Sequence, residues 1–226
     1  DGQVEAFGAA WRILRYDTRG HGGSELTEGP YTADLLADDA IALMDHLGID
    51  KVHFCGLSLG GLTGQMIGLK APERLLSLTL ANTAAQFMTP EIWNQRIQMV
   101  GEGGMAAIAD ATMERWFTEG FRRREPGAIE RMHAMLSAVP KDGYIACSCA
   151  VRDADTQAAI ASIAIPTQVI AGAQDMATPP EKGRFIADTI PEAGFVLIDP
   201  AGHISNIEQP DVFNKALADL LARAAP

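Results

Sequence analysis

The segment Gly56-Leu57-Ser58-Leu59-Gly60 constrains this chain more than any other. It follows a short apolar run, Val52 to Cys55, and opens a small-residue stretch that reads as a helix to about Lys70. A G-x-S-x-G sequence between a strand and a helix holds its serine on a sharp, strained turn. Residues two before and two after must be small so that the chain segments can approach each other. A strand that ends and a helix that begins within a few residues is the repeating unit of a parallel α/β sheet. The N–H that follows the serine lies at a helix N-terminus and points to where an oxyanion develops. Ser58 is therefore the candidate nucleophile and the Leu59 N–H the candidate oxyanion donor.

The rest of the chain agrees with parallel α/β. Ile13 to Tyr16 reads as a strand that runs into the glycine-rich loop Gly20-His21-Gly22-Gly23. Ala33 to Leu47 has helical periodicity through Leu36, Ala40, Leu43, Met44 and Leu47, with Gly48 as its stop. Strands are expected at Leu75–Ala81, Thr167–Ala171 and Phe195–Ile198, and a closing helix over Asp211–Ala222. Thr89 to Ala150 is different. It carries helical periodicity, three methionines between Met105 and Met132, and no clear strand. This predicts a helical cap over the strand ends. The expected division is a core made of residues 1–85 and 151–226 with a cap at 86–150.

A serine nucleophile needs a base and an acid that orients it. In α/β enzymes built around this turn the chain order is Ser, then Asp or Glu, then His. Two histidines follow Ser58. His133 falls among the cap helices, where a solvated surface position is the default. His203 sits in the loop directly after the last expected strand, at the sheet edge where catalytic loops lie. Asp175 follows the strand ending near Ala171 by one glycine turn and is the candidate acid. Asp153 and Asp155 follow no strand and read as helix-capping or solvent-facing. Asp199 is too near His203 in sequence to approach its ring. In Arg15 to Ser24 the glycines lack the lysine and spacing of a phosphate loop. The arginines and Asp17 there are expected to form an ion pair that fixes a turn, with His21 structural.

Composition narrows the partners. Eighteen basic against 29 acidic residues give a net charge of −11, which argues against a nucleic-acid binder and against docking on an anionic membrane. No apolar run reaches membrane-spanning length, and the first residues have neither the basic start nor the apolar core of a signal peptide. The three cysteines, Cys55, Cys147 and Cys149, form no CxxC pair and no zinc pattern, which fits a reduced, cytoplasmic chain. The expected partner is a small molecule, with no metal and no organic cofactor.

Three stretches carry a resemblance: Arg15 to Ser24, His53 to Gly61 and Ala201 to Pro210. They resemble the α/β-hydrolase superfamily. More narrowly, Glu114-Arg115-Trp116-Phe117, Val151 to Asp155, Leu80 to Ala84, Gly104 to Asp110 and Ala171 to Asp175 are similar to the 3-oxoadipate enol-lactonases of bacterial aromatic catabolism. The resemblance implies a mostly parallel sheet flanked by helices, a helical cap, and a triad of Ser58, Asp175 and His203. It implies opening of 3-oxoadipate enol-lactone to 3-oxoadipate. An anionic substrate entering a protein of charge −11 needs a local positive group, so Arg115 or Trp116 is expected to recognise its carboxylate, the alternative being that Arg115 lies on a solvated helix face.

The front of the chain departs from the family pattern. Family members place about three strands before the Arg15 motif, and a loop after the third supplies a second oxyanion N–H. Here Asp1 to Phe7 resembles the helix that follows that loop, so those strands are expected to be missing from this chain. Two other readings stand beside the lactonase. One is an esterase or acyl hydrolase acting on another small substrate. The other, of a different class, is a non-catalytic ligand-binding protein on the same fold.

Overall fold

A computed structural model describes residues 1–224. Four parallel strands form one sheet in the order β1 (Val52–Leu57), β2 (Leu75–Ala81), β3 (Thr167–Gly172) and β4 (Gly194–Ile198). Cys55 is in register with Thr79, Leu80 with Val169, and Ile170 with Val196. Side chains alternate faces along each strand. Leu78, Leu80 and Val169 enter one core, with helices α2 (Ala33–His46), α3 (Leu59–Lys70) and α9 (Pro180–Thr189) against them. Ala81, Ile170 and Ile198 face the other way and meet Phe213 and Ala216 of α11 (Pro210–Arg223). Both faces of β2 and β3 are covered, so these strands read as unbroken apolar runs.

Local chemistry sets the helix ends. The Thr32 hydroxyl accepts from the Leu35 N–H at 3.1 Å and caps α2. Gly48, with φ +63°, ends that helix in the left-handed region, as its position after the apolar periodicity predicts. A short N-terminal helix, α1 (Gly2–Phe7), lies against α11.

Between β2 and β3 the chain forms α4 (Pro90–Gly103), α5 (Ala109–Trp116), α6 (Glu119–Arg124), α7 (Pro126–Ser137) and α8 (Lys141–Asp153). They share their own apolar cluster, built from Val100, Met105, Ile108, Met113, Phe117, Phe121 and Leu136. Ile204, from the loop after β4, joins that cluster. The helical layer and the sheet therefore meet beside His203.

Two local expectations are corrected. Ile13–Tyr16 forms no strand. A strand needs a ladder partner, and β1 is paired only with β2 among the described residues. Ile13 and Leu14 remain about 40% exposed, at 39% and 41%. The ion pair in the glycine-rich loop also differs. Arg19 pairs with Asp39 of α2, its Nε donating at 2.7 Å, and not with Asp17. Asp17 instead accepts from the Gly23 N–H at 2.9 Å. A Cβ at Gly22 would lie 2.3 Å from that carboxylate, so the turn requires glycine there.

No described helix is long and apolar enough to cross a membrane.

Candidate active site

Ser58 sits between the end of β1 and the start of α3 with φ 55° and ψ −113°, a left-handed conformation that costs a non-glycine residue about 1–3 kcal/mol. The surroundings hold it there. Its N–H donates to Ala81 O at 2.9 Å, and its carbonyl accepts from the Thr83 hydroxyl at 2.8 Å. The glycines around it are sterically required. A Cβ on Gly56 would come within 2.0 Å of Gly60 O, and one on Gly61 within 2.6 Å of the Thr83 side chain. The Leu59 N–H opens α3 and, as a first-turn donor, has no acceptor within the helix.

Asp175 and His203 lie together in a buried pair. His203 Nδ1 is 2.9 Å from Asp175 Oδ2, with side chains 3% and 0% exposed. A carboxylate acceptor at that distance places the ring proton on Nδ1 and leaves Nε2 with a free lone pair that can accept a proton. Asp175 is deeply solvated by protein. Oδ1 accepts from the N–H groups of Ala177 at 2.8 Å and Thr178 at 2.9 Å. Oδ2 accepts from the Thr178 hydroxyl at 2.8 Å and from Asn82 Nδ2 at 3.0 Å. Burial alone would push this carboxyl up. The hydrogen bond and charge of His203, with the donors of Asn82 and Thr178, overcome burial and hold it below the usual carboxylate range.

Ser58 and His203 line one cavity of about 620 Å³ shared with residues of the helices between β2 and β3. Among the described residues no hydrogen bond joins the Ser58 hydroxyl to His203. Such contacts are often loose without substrate and tighten in the complex. Arg115 and Trp116, at the end of α5, line the same cavity, and the Trp116 ring lies 6.2 Å from the His203 ring. Burial and the neighbouring charge of Arg96 lower the Arg115 pKa from its ordinary value. Among the described residues neither arginine forms an ion pair with a carboxylate.

The competing residues lie elsewhere. His133 is exposed, 3.1 Å from Asp110. Asp153 ends α8 in an ion pair with Arg152 at 2.7 Å. Asp155 accepts from the Gln157 N–H at 3.0 Å. His21, expected to be only structural, lines the cavity, with Nδ1 3.3 Å from Arg19 O.

Sequence reasoning missed several residues. Asn82, buried and at φ 45°, joins Asp175 to Gly202 O at 3.2 Å and accepts from the Ser205 hydroxyl at 2.6 Å. Its visible signals were its place directly after β2 and its position in the Leu80 to Ala84 stretch that carries the family resemblance. Arg96, in α4, was not singled out in the sequence. Its Nη2 donates to the Thr112 hydroxyl at 2.7 Å and its Nε to the Tyr144 hydroxyl. Thr112 and Tyr144 also line the cavity, so this arginine is held into the wall.

Comparison with known proteins agrees with this geometry. The family described as alpha/beta hydrolase fold matches residues 2–210. The 3-oxoadipate enol-lactonase 2 of Acinetobacter baylyi is 41% identical over 98% of this chain and 82% of its own length. The crystal structure of an enol-lactonase from Burkholderia xenovorans is 42% identical, with a TM-score of 0.96 over 98% of this chain and 85% of that one. A thermophilic esterase from Thermogutta terrifontis, solved with malate bound, is 31% identical, with a TM-score of 0.94 over 100% of this chain and 85% of that one. Strand order, the strained serine turn and sequence similarity over nearly the whole length converge, and the chain belongs to the α/β-hydrolase fold family.

Proposed function

We propose that this chain is a serine hydrolase that opens a small lactone, 3-oxoadipate enol-lactone, to give 3-oxoadipate in bacterial aromatic-compound catabolism. The observation that carries the reading is His203, paired with Asp175 on one side and lining the same cavity as the strained Ser58 on the other. His203 Nε2 removes the proton from the Ser58 hydroxyl as its oxygen attacks the lactone carbonyl. Asp175 holds the Nδ1–H tautomer and stabilises the imidazolium. The Leu59 N–H donates to the oxyanion. Collapse breaks the ring C–O bond, and His203 returns its proton to the departing enol oxygen. That leaving group stays tethered to the acyl-enzyme. A water deprotonated by His203 then attacks the acyl carbon, releasing Ser58 and the carboxylate, and the enol tautomerises to the ketone. None of these steps calls for a metal or an organic cofactor.

Recognition of a carboxylate-bearing substrate falls to Arg115 and Trp116, with Arg96 alongside. Two guanidiniums without carboxylate partners in an apolar cavity support an anionic ligand, which a protein of net charge −11 would otherwise repel. Residues 86–150 act as the cap that shapes this pocket. The three cysteines are free thiols, which supports work in the cytoplasm.

The second reading is an esterase for another small carboxylate ester, favoured by the malate-bound relative. Turnover of a panel of carboxylate-bearing lactones, neutral lactones and simple esters separates the two. Ser58→Ala must abolish turnover and fluorophosphonate labelling. A variant that keeps either one refutes the mechanism.

A further inference from the structure

His203 is held on both sides, on one by the cap directly and on the other through Glu208. The residue before it, Gly202, donates its N–H to Glu208 Oε1 at 2.8 Å. The residue after it, Ile204, donates its N–H to Trp116 O at 3.2 Å. Glu208 then reaches across to the cap. Its Oε1 also accepts from the Thr118 N–H at 3.1 Å, and its Oε2 from the Thr118 hydroxyl at 2.6 Å. Thr118 in turn caps α6, accepting from the Phe121 N–H at 3.2 Å.

Glu208 ends the one-turn helix α10 (Ser205–Glu208) and is only 6% exposed. Among the described residues it has no cationic partner; three donors converge on it instead. Removing a carboxylate from water is costly, and a purely structural bridge here could have been apolar. What the carboxylate provides is a two-sided acceptor that fixes the separation of two backbones. Gly202 must be glycine for this, because a Cβ there would meet Trp116 O at 2.7 Å and Glu208 Oε1 at 2.9 Å. On its other side Gly202 is held to the sheet by Asn82. The His203 loop is thus strung between the sheet, through Asn82, and the cap, through Glu208.

We infer that Glu208 is a positioning residue that registers His203 against the cap, so that seating a substrate against Trp116 sets the angle of the imidazole. The inference rests on the reading of His203 as the base. Because Trp116 lines the cavity and its carbonyl holds Ile204, a shift of the α5–α6 junction is passed to His203 within two bonds of its backbone. Misplacing a base by about 1 Å costs on the order of a hundredfold in rate.

The experiment compares Thr118→Val, Thr118→Ser and Glu208→Gln with the unmodified protein. Thr118→Val removes one donor to Glu208 and leaves the Gly202 contact in place, so it keeps the test alive if Glu208→Gln fails to fold. With a lactone substrate, Thr118→Val and Glu208→Gln should lower kcat by about ten- to a hundredfold while KM stays within about twofold. Thr118→Ser should restore most of the loss. The downfield proton of His203 Nδ1 should shift or broaden in Thr118→Val, a signal that mere loosening of the fold would not move selectively. A folded Thr118→Val with unchanged kcat and an unmoved His203 proton overturns the inference. His203→Ala is the control for the underlying reading. If it keeps turnover, the assignment of the base fails and the role of Glu208 fails with it. If it loses turnover while Thr118→Val does not, only the role of Glu208 fails.

Discussion

Replacing Asp175 with asparagine tests the proposed chemistry most sharply, because the hydrogen bonds dictate which way the new amide must sit. The Oδ1 position receives two backbone N–H groups, from Ala177 and Thr178. It can hold only the amide oxygen. The amide nitrogen is then forced into the Oδ2 position, opposite His203 Nδ1 and Asn82 Nδ2. His203 must answer with a lone pair at Nδ1, which moves its proton to Nε2. A ring protonated at Nε2 cannot take the proton of Ser58. Asn82 cannot flip freely to relieve the second clash, because its other contacts are the Gly202 carbonyl, which needs a donor, and the Ser205 hydroxyl. The loss expected for the wrong tautomer is about 10⁴-fold in kcat, or roughly 5 kcal/mol at about 1.4 kcal/mol per decade. Fluorophosphonate labelling of Ser58 and lactone turnover should fall together, while circular dichroism and a cooperative melt verify folding. A folded Asp175→Asn that keeps activity within tenfold would refute the tautomer argument.

Three further outcomes are expected. Arg115→Ala should raise KM chiefly for carboxylate-bearing lactones and spare neutral esters; equal effects on both, in steady-state kinetics, would remove Arg115 from recognition. Gly61→Ala should destabilise the protein by about 1–3 kcal/mol in a urea titration, because its Cβ would lie 2.6 Å from Thr83; an unchanged midpoint would show that the elbow can relax. The folded-state pKa of Asp175 is depressed, so its stabilising contribution is present above the unfolded value of about 3.9 and is lost as pH falls through the folded value. Unfolding followed from pH 6 downward should therefore show a steeper loss in the unmodified protein than in Asp175→Asn. Parallel curves would contradict this.

The parts of the fold that could be read from sequence are those fixed by local pattern. Strand β2, Leu75–Ala81, is covered on both faces, and its apolar run marks it unambiguously. The Ser58 turn announces itself because its steric demands fall on glycines within a few residues. Asp175 and His203 could be placed because each follows a strand end in a fixed chain order. Ile13–Tyr16 shows the limit. Its composition suits a strand, but strand formation depends on a partner that composition cannot reveal. Asn82, Thr178 and Glu208 stayed hidden for a related reason. Each is an ordinary polar residue in a loop or a one-turn helix, and its importance comes only from groups up to 123 positions away. Arg19 was misread because the nearby Asp17 looked like its partner, while Asp39 lies one helix face away after folding.

The left-handed backbone at Ser58 also bears on how this protein would evolve if its reaction ceased to matter. Every L-residue at position 58 meets the same steric penalty, and glycine alone escapes it. Selection for persistence without selection for turnover would therefore favour Ser58→Gly, gaining about 1–3 kcal/mol of stability while losing the proposed nucleophile. On the proposed mechanism, a serine retained at this position is held there by function against the steady pull of the fold.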